Sequence, residues 1–188
     1  PVEALCVAVG AEQADLAIDL LPNLKYSIYD RDLFIFGFTF ADSVMKLGAS
    51  TISKDIDFAV YCGLNPPRQN IDFICSLLPE KSTCAVLAGD RSYLSQDGVM
   101  TPLKRSYAGT LISAKVLVSH FGITLYEGRI SGCRLIAINP TEYHSRLSDI
   151  AGGGLDLVNL GVIDAVDPSP ARFAISGSLT AGVFPDME

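Results

Sequence analysis

Short, nearly uninterrupted apolar runs separated by helix-length segments are the feature that most limits how this chain can fold. Ile56–Tyr61 (IDFAVY), Thr83–Ala88 (TCAVLA), Lys115–Val118 (KVLV) and Cys133–Ile138 (CRLIAI) are strand-length and rich in aliphatic and β-branched residues. Between them lie RQNIDFICSLL (68–78), with Ile71, Ile74 and Leu78 on one side, and the segments 106–114, 123–131 and 141–151, all of helical length. A strand that is apolar along its whole length needs cover on both faces. This alternation therefore predicts an α/β fold with a doubly wound, mostly parallel sheet.

The rest of the chain is read by the same rules. Gly152-Gly153-Gly154 is expected to close the helix over 141–151, LDLVNL (155–160) to form the last strand, and residues 168–182 one more helix. Residues 91–104 read as a loop. Toward the N-terminus, Val2–Val9 reads as a buried strand and AEQADLAIDLL (11–21) as a helix with Ala14, Leu16, Ala17 and Leu20 on one face. Two β-rich runs, KYSIY and LFIFGFTF, follow between Lys25 and Phe40, then a short helix SVMKL after Asp42, and AST-ISKD as a linker. Residues 1–50 are thus expected to extend the sheet or to be the vestige of another domain, with the main domain over 51–188. The start Pro1-Val2-Glu3, without Met, is what a trimmed or excised piece would show.

Composition narrows the partners. Of 188 residues, 49% are hydrophobic and 19% charged, enough for a packed core and unlike a disordered chain. With 14 Lys+Arg and 21 Asp+Glu the net charge is 14 − 21 = −7, which argues against nucleic acid or anionic lipid as partners. No apolar run approaches the roughly 20 residues of a membrane span, and no signal-peptide pattern opens the chain, so a cytoplasmic location is expected. The 5 cysteines are scattered and read as reduced core thiols. None has metal-ligand spacing, the two histidines lie far apart, and Asp55, Asp57, Asp164 and Asp167 read as solvated, so neither a metal nor a cofactor is expected. Adjacent Ser119 and His120 do not make a nucleophile–base pair, since no elbow motif surrounds the serine.

In doubly wound sheets, ligands sit outside the carboxyl ends of the strands, where strand order reverses. This directs attention to 62–67, 89–92, 119–124 and 139–144, all expected as strand-to-helix connections on one edge. Two stretches there carry a family pattern. One is Cys62-Gly63-Leu64-Asn65-Pro66-Pro67; the other is AKVLVSHFGITLYEGRISGCRLIAINP (114–140), followed by a polar helix and three glycines. In order and spacing, residues 55–182 resemble the C-terminal Rossmann domain of GT-B nucleotide-sugar enzymes. That family includes the UDP-sugar hydrolase of pseudaminic acid synthesis and its spore-coat polysaccharide relatives.

The resemblance implies a UDP- or CMP-linked sugar, or a nucleoside diphosphate, bound at loops 62–67, 89–92 and 119–127. Gly63 and Asn65 would face phosphate, as would His120, Phe121, Gly122 and Thr124 at the start of the next helix, where backbone amides and the helix dipole favour an anion. Glu127 would accept the ribose hydroxyls, and Tyr143 and His144 would touch phosphate or sugar. It also implies a glycosyltransferase-like or sugar-nucleotide hydrolase role in polysaccharide biosynthesis. No histidine precedes His120, so the catalytic residues are expected from another chain or segment. The chain departs from the family where Cys62-Gly63 stands for paired glycines, Asn65 for aspartate and His120-Phe121-Gly122 for the second glycine pair. Those departures motivate an alternative: a catalytically inactive Rossmann module with an assembly or regulatory role, pairing with a protein partner or itself through an apolar face such as LFIFGFTF.

Overall fold

The computed structural model describes residues 5–6, 16–17, 53–88, 91–96 and 99–180. Leu5–Cys6 (β1) and Leu16–Ala17 (β2) pair in parallel as a separate two-stranded ladder. Extended pairing at Leu16–Ala17 replaces the helix expected there, because those main-chain groups bond across to another strand. The expectations for 25–40 and 42–48 lie outside the described residues.

The main sheet is built from β3 (Ile56–Tyr61), β4 (Cys84–Ala88), β5 (Arg91–Gln96), β6 (Val99–Pro102), β7 (Ala114–Ser119), β8 (Arg134–Asn139) and β9 (Leu157–Val162). The helices are α1 (Arg68–Leu77), α2 (Tyr107–Ser113), α3 (Ile123–Ile130), α4 (Glu142–Leu155) and α5 (Pro168–Thr180), with a 3₁₀ turn at Ile163–Ala165. Strand order is β6-β5-β4-β3-β7-β8-β9. β4, β3, β7, β8 and β9 run parallel, while β5 and β6 are antiparallel. The fold is α/β, Rossmann-like and doubly wound.

Alternation along the strands divides the core into two layers. Ala59, Ala85, Leu87, Leu117, Leu135 and Ala137 pack with residues of α2, α3 and α4. Phe58, Val60, Val86, Val116, Val118 and Ile136 pack with Ile71, Ile74 and Leu77 of α1 and with Ala171 and Ile175 of α5. Each fully buried aliphatic side chain of this kind contributes about 1.5–3 kcal/mol. Close approach of α3 to the sheet needs Gly128, where a Cβ would lie 2.4 Å from Leu117 Cδ2.

Two expectations are corrected. Residues 91–104 are not a loop: β5 and β6 form a hairpin on the edge of the sheet. Its outer strand is short, exposed at Val99 and carries Pro102, which an edge tolerates. Segment 89–92 is accordingly no strand-to-helix loop, since Arg91 and Ser92 already belong to β5. The three glycines do not close α4 either. The helix continues to Leu155, whose side chain is buried, and ends at Asp156 in the left-handed conformation (φ +53°). Packing of α4 on β8 and β9 outweighs the glycines' unfavourable helix propensity.

Candidate functional site

The chain lays down β3, moves outward through β4, β5 and β6, and returns to the far side of β3 for β7. Strand order therefore reverses between β3 and β7, and the crevice at their carboxyl ends is where such sheets bind ligands. Tyr61 and Ser119, the last residues of the two strands, are in register. The loops that follow, Cys62–Pro67 and His120–Gly122, consequently begin side by side.

A cleft of about 270 Å³ opens there, lined by Tyr61, Gly63, Leu64, Asn65, His120 and Asn139, among others. It is slightly smaller than the roughly 300–1,000 Å³ usual for ligand pockets. Gly63 turns the first loop with φ +102°, and a Cβ there would meet His120 Nε2 at 3.4 Å. His120 Nδ1 lies 2.8 Å from the Phe121 carbonyl. A carbonyl can only accept, so Nδ1 carries the proton and Nε2 is left facing the Gly63 loop. Burial pushes the Cys62 thiol up to about 12, which makes it a poor nucleophile.

Aromatic rings continue from this cleft in two directions. His120 lies 5.8 Å from the Tyr61 ring and 6.2 Å from His144, and Tyr143 lies 5.7 Å from His144. Thr141 caps α4 and sets His144, with Oγ1 2.8 Å from His144 Nδ1. Burial, and then the charge of His120, hold the His144 imidazolium below its ordinary range. On the other flank Tyr61 meets Tyr107 edge-on at 6.4 Å. The Tyr107 hydroxyl is 2.6 Å from Glu127 Oε2 and 3.1 Å from Thr124 Oγ1. Burial raises the Glu127 carboxyl, with the Tyr107 hydrogen bond acting in the opposite sense.

Beneath the crevice, Asn139 is fully buried at the end of β8. Its Oδ1 accepts from the Phe121 amide (2.8 Å) and the Ser148 hydroxyl (3.2 Å), and its Nδ2 donates to Asn159 Oδ1 (3.0 Å). Asn159 in turn donates to Asp149 and to Ser145. This network ties the His120 loop to α4 and β9.

Of the residues singled out in the sequence, Gly63, Asn65 and His120 share the cleft. Tyr143 and His144 reach it through ring contacts. Thr124 and Glu127 stand on the far flank of Tyr61, outside the cleft's lining. Gly122 precedes α3 as its N-cap. Phe121 is 4% exposed and packed into the α2–α3–α4 layer of the core, which removes its ring from ligand contact. Tyr61 and Tyr107 were not anticipated, and Asn139 was covered only as part of segment 139–144; each owes its place to partners distant in sequence. Asp55 and Asp57 pair with Arg105 and Lys115 at the opposite edge; Asp55 stays exposed, as expected, while Asp57 is partly buried. Among the described residues no group of three His, Cys, Asp or Glu could hold a metal ion. No helix among them is long and apolar enough to cross a membrane.

Fold and crevice together define an α/β protein of the Rossmann-like class with an open cleft at its topological switch point. The chain is similar in structure to the solved glycotransferase of kitacinnamycin, with a TM-score of 0.51 and 12% sequence identity. The similarity covers 89% of this chain and 47% of that one, so the chain spans about half of that protein's length. At this identity the likeness establishes a glycosyltransferase-like fold. Neither a family model nor a curated protein sequence matches the chain.

Proposed function

We propose that this domain binds a UDP- or CMP-linked sugar in the crevice between β3 and β7, as the nucleotide-sugar half of a GT-B-type glycosyl-transfer or sugar-nucleotide hydrolysis system. The observation that carries this reading is the cleft shared by Gly63, Asn65 and His120 beside the N-terminus of α3. A glycine turn exposes backbone amides, and the helix dipole favours a diphosphate. Glu127, on the flank, offers a carboxylate acceptor to the hydroxyls of a ribose. Catalytic groups would come from a further domain or chain.

A thermal-shift series with UDP, CMP, GDP and UDP-GlcNAc tests it. A ligand at a hundred times its Kd should stabilise the fold by about 2.7 kcal/mol, and Glu127→Ala should remove most of that shift. No shift with any of the four at millimolar concentration would overturn the reading. A second reading, a non-catalytic module used in assembly, draws on three exposed apolar side chains beside the crevice: Leu64 (68% exposed), Tyr143 (50%) and Ile123 (41%). It predicts self-association by light scattering that Leu64→Ser abolishes.

A further inference from the structure

We propose that Tyr107 is a positioning residue for this site: its phenol ties down one oxygen of Glu127 and leaves the other to take the ribose hydroxyls of the nucleotide. The inference rests on the reading that Glu127 meets the ribose.

The geometry assigns the protons. At 2.6 Å the Tyr107–Glu127 contact has the length of a charge-assisted O–H···O⁻ bond. The phenol has one proton, and it goes to the carboxylate. Thr124 Oγ1, 3.1 Å away, then donates its own proton to the Tyr107 oxygen. Thr124 is 4% exposed, so its hydroxyl is committed to this contact and not to solvent. The result is a one-way relay, Thr124 to Tyr107 to Glu127, in which every donor points at the carboxylate. Among the described residues, Glu127 Oε1 has no hydrogen-bond or ion-pair partner. A half-buried carboxylate with one oxygen pinned and one open is preorganised to accept hydroxyl donors.

Among the described residues, the titratable groups facing Glu127 are Tyr107 from α2 and Tyr61 from β3, whose own hydroxyl is raised by burial and by the Glu127 charge. Beyond Tyr61 stand His120 and His144. Burial raises the Glu127 carboxyl, and the Tyr107 hydrogen bond opposes it. Without that bond Glu127 would take up its proton at a higher pH, and a protonated carboxyl is a poorer acceptor. Protonation of His144 would strengthen diphosphate binding on acidification, an effect of opposite sign.

The experiment is calorimetric titration of the full chain with UDP and 2′-deoxy-UDP from pH 5 to 8. Wild type, Tyr107→Phe, Thr124→Val, Glu127→Ala and Glu127→Gln are compared. Tyr107→Phe is expected to weaken UDP binding about tenfold, the loss typical of a hydrogen bond to a charged group. It should also lower the UDP to 2′-deoxy-UDP preference and move the acid limb of binding to higher pH. Thr124→Val should shift the limb the same way by less, and Glu127→Gln should remove it, which separates it from His144. An unchanged affinity and pH profile in Tyr107→Phe, with binding lost in Glu127→Ala, would overturn the role of Tyr107 and leave the site reading intact. Wild type that binds neither nucleotide would overturn both.

Discussion

The two ends of the parallel strands are finished in opposite ways. At the amino ends, charges are tied off. Asp55 grips Arg105 through two bonds of 2.7 and 2.8 Å. Asp57 takes Lys115 at 2.7 Å together with the Thr83 amide and hydroxyl. Lys54 reaches the carbonyls of Ala114 and Ser131 at 2.7 and 2.6 Å. At the carboxyl ends, groups are held in place but left open: His120 has one nitrogen fixed, Glu127 one oxygen fixed, and Gly63 keeps space beside the imidazole. Satisfied polar groups stabilise a fold, whereas groups oriented by one bond and open at the other can take a ligand. One sheet thus carries a structural edge and a receptive edge.

Mutations that separate the two edges test that contrast. The largest effect is expected from Asn139→Leu, which leaves the buried Phe121 amide without an acceptor and should cost about 2–3 kcal/mol in urea unfolding. It should also loosen the His120 loop, so nucleotide stabilisation falls with it; full stability would mean the receptive edge is not held from below. Gly63→Ala forces a side chain into a positive φ against His120 and should cost about 1–2 kcal/mol, with ligand response reduced as well.

On the structural edge, Asp57→Ala should cost about 1 kcal/mol and leave nucleotide response unchanged. Burial raises the Asp57 carboxyl, but hydrogen bonds from Lys115 and Thr83 outweigh it and hold it below its ordinary value. The native state therefore binds this proton less readily than the unfolded chain. The stabilisation is present above the ordinary carboxylate range near ~3.9 and is lost as pH falls through the lower native value. Acid unfolding of the variant should be correspondingly shallower below about pH 4. The smallest effect, under about 0.5 kcal/mol, is expected for Asp72→Ala, which breaks an exposed i,i+4 pair with Arg68 on α1. A larger loss there would show that surface pairing, not the edge networks, carries the difference.

Much of the fold was legible because its signal is local. β3, β4, β7 and β8 are apolar runs, and α1, α3 and α5 follow directly from the residues between and after them. The β5–β6 hairpin was not, since neither Arg91–Gln96 nor Val99–Pro102 holds a continuous apolar run. Nor was the passage of α4 through Gly152–Gly154, where only burial of Leu155 against the sheet shows why a weak helical sequence stays helical. Of the cleft's lining, Gly63, Asn65 and His120 were readable from the loops that follow β3 and β7, whereas Glu127, named through the resemblance, lies outside that lining. Tyr61 and Tyr107 were not readable, and Asn139 only as part of segment 139–144, because their importance comes from partners distant in sequence.

The sequence by itself determined that strands and helices alternate, that both faces of the sheet are covered, and which loops follow strand ends. Side-chain periodicity is a property of neighbouring residues, so it survives without a structure. Only the tertiary structure decided that β7 lies against β3, and so that the Gly63 loop meets His120 and that Tyr107 reaches Glu127. Strand adjacency depends on where each crossover buries its helix, and no local pattern records that choice.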